Sequence, residues 1–168
     1  MRYRLDVVAA DVADVVRCAG GWMYDRVMAG WDVTVLLTDG ADERPLHILG
    51  VETADLESAL ALWADRPHPQ TVAVPADLFA SDERVRRGVL GALEQGLTEV
   101  TLWGETWPAE LDDSVGLVQH QLSAAARIFK GRALAAAAVP ESPIGHTETF
   151  RSGLLTCPSV AADLVPAS

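Results

Sequence analysis

The sequence predicts an α/β protein, a three-layer sandwich with a mixed, mostly parallel sheet of four to five strands flanked by helices. Two stretches carry the prediction. Gly30-Trp31-Asp32-Val33-Thr34-Val35-Leu36 and Gly96-Leu97-Thr98-Glu99-Val100-Thr101-Leu102-Trp103 each close a helical pattern on a glycine and continue as an acid-Val-Thr strand. A glycine there suits the left-handed residue that ends a helix. The residues after it change from helical spacing to β-branched alternation. A third observation is the order of elements: from residue 46 onward single helices separate the predicted strands, the pattern of crossovers in a parallel sheet.

Each element has its own signal. Tyr3, Leu5 and Val7 alternate and permit a short first strand. Asp11 reads as an N-cap, with Asp14 adding favourable charge to the first turn. Val12, Val15, Val16, Ala19, Met23 and Val27 follow at helical spacing up to Gly30. Gly20-Gly21 inside this helix costs about 1 kcal/mol per glycine relative to alanine, so the pair either breaks the helix or lets a neighbour pack closely. Val33–Thr38 is a strand, Asp39-Gly40 a turn signal, and Leu46–Val51 a second strand. The short connection makes these two an antiparallel hairpin. Thr53 or Asp55 caps a helix through Leu56, Leu60 and Trp63, which Pro67 and Pro69 stop. Thr71–Val74 is a strand, Ser81 caps a helix along Val85, Val89 and Leu93, and Glu99–Trp103 is the next strand. Asp113 or Ser114 starts a long helix with the stripe Val118, Leu122, Ala125, Ala126, Phe129 and Ala133, ended by Pro140. Residues 1–139 thus form one α/β domain, and 140–168 a C-terminal extension, partly packed and partly mobile.

Composition limits the function. The chain has 168 residues, 49% hydrophobic and 22% charged, enough for one domain with a real core. Its net charge of −11 and single lysine, Lys130, argue against a nucleic-acid binder. An acidic surface favours solubility, cationic partners or metal ions. Cys18 and Cys157 lie far apart without a C-x-x-C, which reads as two reduced thiols. Asp6, Asp11 and Asp14 interrupt any signal-peptide core, and no uncharged run reaches the ~18 residues of a membrane span. The expected location is cytoplasmic, with no membrane partner. The arginine-for-lysine usage is that of a GC-rich bacterial genome.

Sequence motifs of phosphate-binding loops, dinucleotide sites, zinc hydrolases and serine hydrolases are absent. No cofactor is evident, although a divalent cation fits one arrangement of acids. Ligands of open parallel sheets bind beyond the carboxyl ends of strands. Glu52, Asp77 and Glu105 are each placed there by the predicted elements, and three carboxylates in one crevice suit a hard cation. The competing explanation is that such acids complement helix dipoles. Trp103 and Trp107 flank Glu105 and offer an apolar wall for a ligand or partner; as packing residues they would line the core and the domain edge. His120, placed near the start of the last helix, is the histidine best sited to work with Glu105 in proton transfer, or else a surface residue in a polar patch. On this basis the expectation is a non-catalytic interaction or regulatory domain that contacts a protein partner or a second copy of itself. The alternative is a small enzyme binding a metabolite or divalent cation at the carboxyl ends of the parallel strands. The hairpin would send the loop after the first acid-Val-Thr strand to the opposite end of the sheet from Glu105 and Trp107, which places the crevice by the latter.

Overall fold

The computed structural model describes residues 3–38, 40–62, 65, 68–104, 109–111, 116–140, 143–153 and 163–166. The first half of the chain builds β1 (Arg4–Val8), α1 (Val12–Met28), β2 (Asp32–Leu37), α2 (Arg44–Ile48), β3 (Glu52–Asp55) and α3 (Leu56–Ala61). The second half adds β4 (Thr71–Pro75), α4 (Ala76–Ser81), α5 (Glu83–Gln95) and β5 (Glu99–Trp103). After these come β6 (Gly116–Gln121), α6 (Ala124–Ala136), β7 (Thr147–Gly153) and the two-residue β8 (Val165–Pro166).

The strand order is β3-β2-β1-β4-β5-β7-β6-β8. The first five are mutually parallel, and β7, β6 and β8 extend the sheet through antiparallel pairings. The α/β class stands, while the four- to five-stranded, mostly parallel sheet is corrected to a larger mixed one. β7 comes from the segment set aside as an extension, yet it lies inside the sheet between β5 and β6. The sheet therefore runs across the expected boundary at residue 139.

Period-two alternation sends the two sets of strand side chains into two cores. Leu5, Val7, Val33, Val35 and Ala73 face Val15, Val16, Ala19, Trp22 and Met23 of α1. Val8, Leu36, Val72, Val74, Val100 and Leu102 face Phe79, Val85, Val89 and Leu93 on the other side. Helix starts follow the expected chemistry. Asp11, Asp55, Asp82 and Ser123 each accept a backbone N–H of the first turn. Asp82, one residue past the expected Ser81, caps α5. Gly30 and Gly96 take positive φ, 95° and 67°, where α1 and α5 end.

Two segments depart from expectation. Arg44–Ile48 is helical, with Pro45 in its first turn and Leu46 and Leu49 buried at i, i+3. Short apolar runs serve either period, and here the helical one wins. β2 then reaches β3 through a crossover, and the two pair in parallel. The expected hairpin does not form, and both acid-Val-Thr strands run in the same direction. The predicted long helix begins only at Ala124, because Gly116–Gln121 pairs with β7.

The Gly20-Gly21 pair is a packing device. A Cβ on Gly21 would stand 2.3 Å from Leu122 Cδ2. The buried Glu148 carboxylate reaches α1 at the same level and accepts the N–H of Gly21 (2.9 Å) and of Trp22 (2.6 Å). Lys130 Nζ, also buried, donates to Glu148 at 2.7 Å.

Candidate functional site at the carboxyl ends of the strands

From β1 the chain moves outward to β2 and β3, then crosses back to β4 and β5 on the other side. The carboxyl ends of β1 and β4 therefore form the topological switch point where ligands of open α/β sheets bind. A cleft of about 660 Å³ opens beside it, at the ends of β1 and β2. Asp11 and the start of α1 form one wall, Thr38, Asp42 and Arg44 the second, and the end of α6 at Ala136–Ala138 the third. A smaller cleft of about 340 Å³ adjoins it at the ends of β2 and β3 and shares Thr38, Gly40 and Ala41.

The charges of this region are fixed by local geometry. Asp11 spends one oxygen on the Ala13 N–H at 2.9 Å. Its other oxygen has no hydrogen-bond partner among the described residues. Asp14, one turn along, accepts from Arg17 Nη2 at 2.9 Å and from Trp103 Nε1 at 3.1 Å. The Cys18 thiol, 3.7 Å from Asp14, is pushed up to about 11, first by burial and then by the Asp14 charge. Asp42 grips Arg44 with both oxygens, Oδ1 on Nε at 3.0 Å and Oδ2 on Nη2 at 2.8 Å. These bonds hold the Asp42 carboxyl down at about 2. A groove of about 500 Å³ on the α5 side lies at the opposite end of the sheet, near Pro69 and Thr98. Its arginines are already engaged, Arg84 by Glu57 and Asp82 and Arg87 by Glu83.

Of the residues singled out from sequence, Glu52, Asp77, Trp103 and His120 are described, and each sits on a different element. Glu52 opens β3 in register with Thr34, which aligns with Asp6 and so with Val72, in the amino-terminal half of the sheet. It does not follow a strand. Asp77 lies in the first turn of α4, just past the carboxyl end of β4. Glu105 and Trp107 lie outside the described residues. Trp103 is 3% exposed and packs in the core beneath α1, reaching past β4 to donate to Asp14. His120 sits on β6, buried, with Asp25 and the backbone of Asp163 as its partners. Among the described residues no group of three or more His, Cys, Asp and Glu converges as a metal ion requires. The oxygens of Asp14 are taken by protein donors, and the Cys18 thiol stays protonated. The described donors therefore do not fit a divalent cation.

Sequence reasoning read Asp11, which lines the larger cleft, and Asp14, which does not, only as helix-start chemistry. The signal was present: both follow the strand that becomes the centre of the parallel sheet. No helix among the described residues is long and apolar enough to cross a membrane.

No family model matches the sequence, and no curated protein matches it. Solved structures do. The antimicrobial reagent A40926 pseudoaglycone deacetylase Dbv21 aligns over 94% of this chain and 100% of its own, with a TM-score of 0.64 and 16% identity. The zinc-inhibited form of a teicoplanin deacetylase aligns over 92% and 100%, with a TM-score of 0.61 and 11% identity. The 4-carboxy-2-hydroxymuconate hydratase GalB from Pseudomonas putida aligns over 97% and 100%, with a TM-score of 0.60 and 14% identity. The fold is thus shared at full length with deacetylases and a hydratase. This overturns the expectation of a non-catalytic interaction or regulatory domain. That expectation rested on missing motifs, and an architecture that enzymes occupy end to end does not need those motifs to carry chemistry.

Proposed function

We propose that the protein is a small-molecule enzyme whose substrate sits in the cleft at the carboxyl ends of β1 and β2. The reaction class is the addition of water to a polar metabolite, as hydrolysis of an acyl group or hydration of a double bond. The observation that carries this reading is Asp11. Its carboxylate lines the cleft at the switch point and keeps one oxygen without a partner among the described residues. An ionised carboxylate so placed accepts a proton from an attacking water. The first turn of α1 brings backbone N–H groups and the positive end of a helix dipole to the same wall, which favours negative charge developing on a substrate oxygen. Asp42 and Arg44, closed on each other as an ion pair, form the facing wall. Full-length likeness to deacetylases and a hydratase supports water-dependent chemistry on this fold.

The test is a panel of N-acylated and unsaturated polar metabolites, followed by mass spectrometry for acyl loss or water gain. Asp11→Asn keeps the helix cap, since asparagine caps as well as aspartate, but removes the base. Turnover should fall by roughly 100-fold or more with the melting temperature unchanged. Absence of turnover across the panel, or turnover indifferent to Asp11→Asn, overturns the reading.

A further inference from the structure

A buried polar array lies under the second half of α1, away from the cleft. His120 is 5% exposed. Its Nε2 stands 2.7 Å from Asp25 Oδ2, and its Nδ1 3.1 Å from the backbone oxygen of Asp163. A backbone carbonyl only accepts. Asp25 also only accepts here, because it already takes the Ser123 N–H at 3.1 Å and the Ser123 hydroxyl at 2.6 Å. That hydroxyl proton is committed to Asp25, since Ser123 Oγ itself accepts the Ala126 N–H. A neutral imidazole has one N–H for two acceptors and leaves the other ring nitrogen facing an oxygen. The ring satisfies both partners only as an imidazolium.

Charged groups from several elements lie around the ring. α1 contributes Asp25 and Arg26, and the C-terminal segment contributes the Asp163 carboxylate. β5 contributes Glu99, which meets Arg26 Nη2. Glu148, the register partner of His120 on β7, is paired with Lys130 from α6. Leaving that pair aside, three carboxylates surround Arg26 and the ring. The arrangement is not a nucleophile relay, because the carboxylate stands between the serine and the histidine.

We propose that His120 is a proton-operated clasp. As an imidazolium it ties the backbone at Asp163, and with it β8, to Asp25 on α1; loss of the ring proton releases that segment. The same Asp163 is held through its carboxylate by Trp22 Nε1 at 3.1 Å and by Arg26 Nε and Nη2, each at 3.1 Å. Arg26 is itself clamped between the rings of Trp22 and Trp31, 4.4 and 4.2 Å from their centroids. The clasp is closed on the acid side of the His120 titration and opens as pH rises through it. Opening withdraws Asp163 from the Trp22 indole, which makes that N–H a reporter.

The experiment is NMR of the full chain with ¹⁵N-labelled histidine and tryptophan, titrated from about pH 6 to about pH 9, a range spanning histidine titration. At the acid end both His120 ring nitrogens should carry protons. The Trp22 indole N–H should then shift from its bonded position with the same midpoint as His120. In His120→Gln the indole signal should no longer move across that range. A His120 ring that is a single neutral tautomer at the acid end overturns the proposal. So does a Trp22 signal that fails to follow His120 in the wild-type protein, or one that titrates unchanged in His120→Gln. The wild-type measurements decide the matter even where the variant does not fold.

Discussion

Alanine at Gly21 should destabilise the protein, while alanine at Gly91, also inside a helix, should stabilise it. The added methyl at position 21 would stand 2.3 Å from Leu122 Cδ2 and 2.4 Å from Leu122 Cγ. Carbon atoms pack at about 3.5–4.0 Å, so Leu122 must retreat by more than about 1 Å. Leu122 is 6% exposed and has little room to retreat. A contact this short falls in the upper part of the overpacking range, about 2–3 kcal/mol, and the gain in helix propensity returns about 1 kcal/mol. The net expectation for Gly21→Ala is a loss of about 1–2 kcal/mol. At Gly91 a methyl would meet nothing within 4 Å, so the propensity gain of about 0.5–1 kcal/mol stands alone. The two variants should differ by about 1.5–3 kcal/mol. For a chain of this size that is a melting-temperature gap of roughly 3–12 °C. Thermal and urea melts of both variants read it directly. Leu122→Ala supplies the control, because removing the obstructing atoms should cancel most of the Gly21→Ala penalty, a coupling that a double-mutant cycle isolates. If Gly21→Ala melts at or above Gly91→Ala, or shows no coupling to Leu122, the close helix approach is not what position 21 provides.

Three further outcomes follow from the same contacts. Ala138 ends α6 at φ 58°, with its N–H on Ala135 and the Val139 N–H on Leu134; glycine fits that left-handed position, so Ala138→Gly should raise stability by about 1 kcal/mol, read as a higher urea midpoint. Burial raises the Glu148 carboxyl and Lys130 opposes that rise, so the Glu148 contribution to stability is present at acid pH and declines as pH rises through its folded titration. Lys130→Met should therefore cost little at about pH 4 but about 3–5 kcal/mol near neutrality, and equal losses at both pH values in urea melts would contradict the pairing. The Cys18 thiol, raised to about 11 by burial and by Asp14, should resist alkylation at neutral pH, with Asp14→Asn giving only a partial gain because burial is the larger cause; peptide-resolved mass spectrometry measures both rates.

Much of the fold was legible because its signals are local. Asp11 and Asp55 cap helices by side-chain geometry within three residues, and Gly30 and Gly96 turn left-handed where helical spacing stops. The errors arose where a local pattern serves two structures. The stripe Val118, Leu122, Ala126, Phe129 reads as one helix, although its first residue belongs to β6 and Ser123 caps α6 between them. β7 alternates, but one of its inward positions is Glu148, a carboxylate that a hydrophobic pattern cannot recruit.

The site was hidden for a different reason, since its geometry depends on strand direction. Asp14 and Trp103 are 89 positions apart in sequence and meet because β4 alone separates β1 from β5. Reading Leu46–Val51 as the second arm of a hairpin reversed the first acid-Val-Thr strand and moved Glu52 to a strand end it does not occupy. Once that segment is a crossover helix followed by β3, Glu52 begins a strand, and the carboxyl ends of β1 and β2 join the same edge as those of β4 and β5. The crevice of the proposed function then lies by Asp11 and its neighbours, where the chain reverses its direction of growth. One six-residue segment, a helix end and turn that reads as a strand, is enough to move the proposed site from one loop to another, because in a parallel sheet the same strand ends define both the topology and the ligand seat.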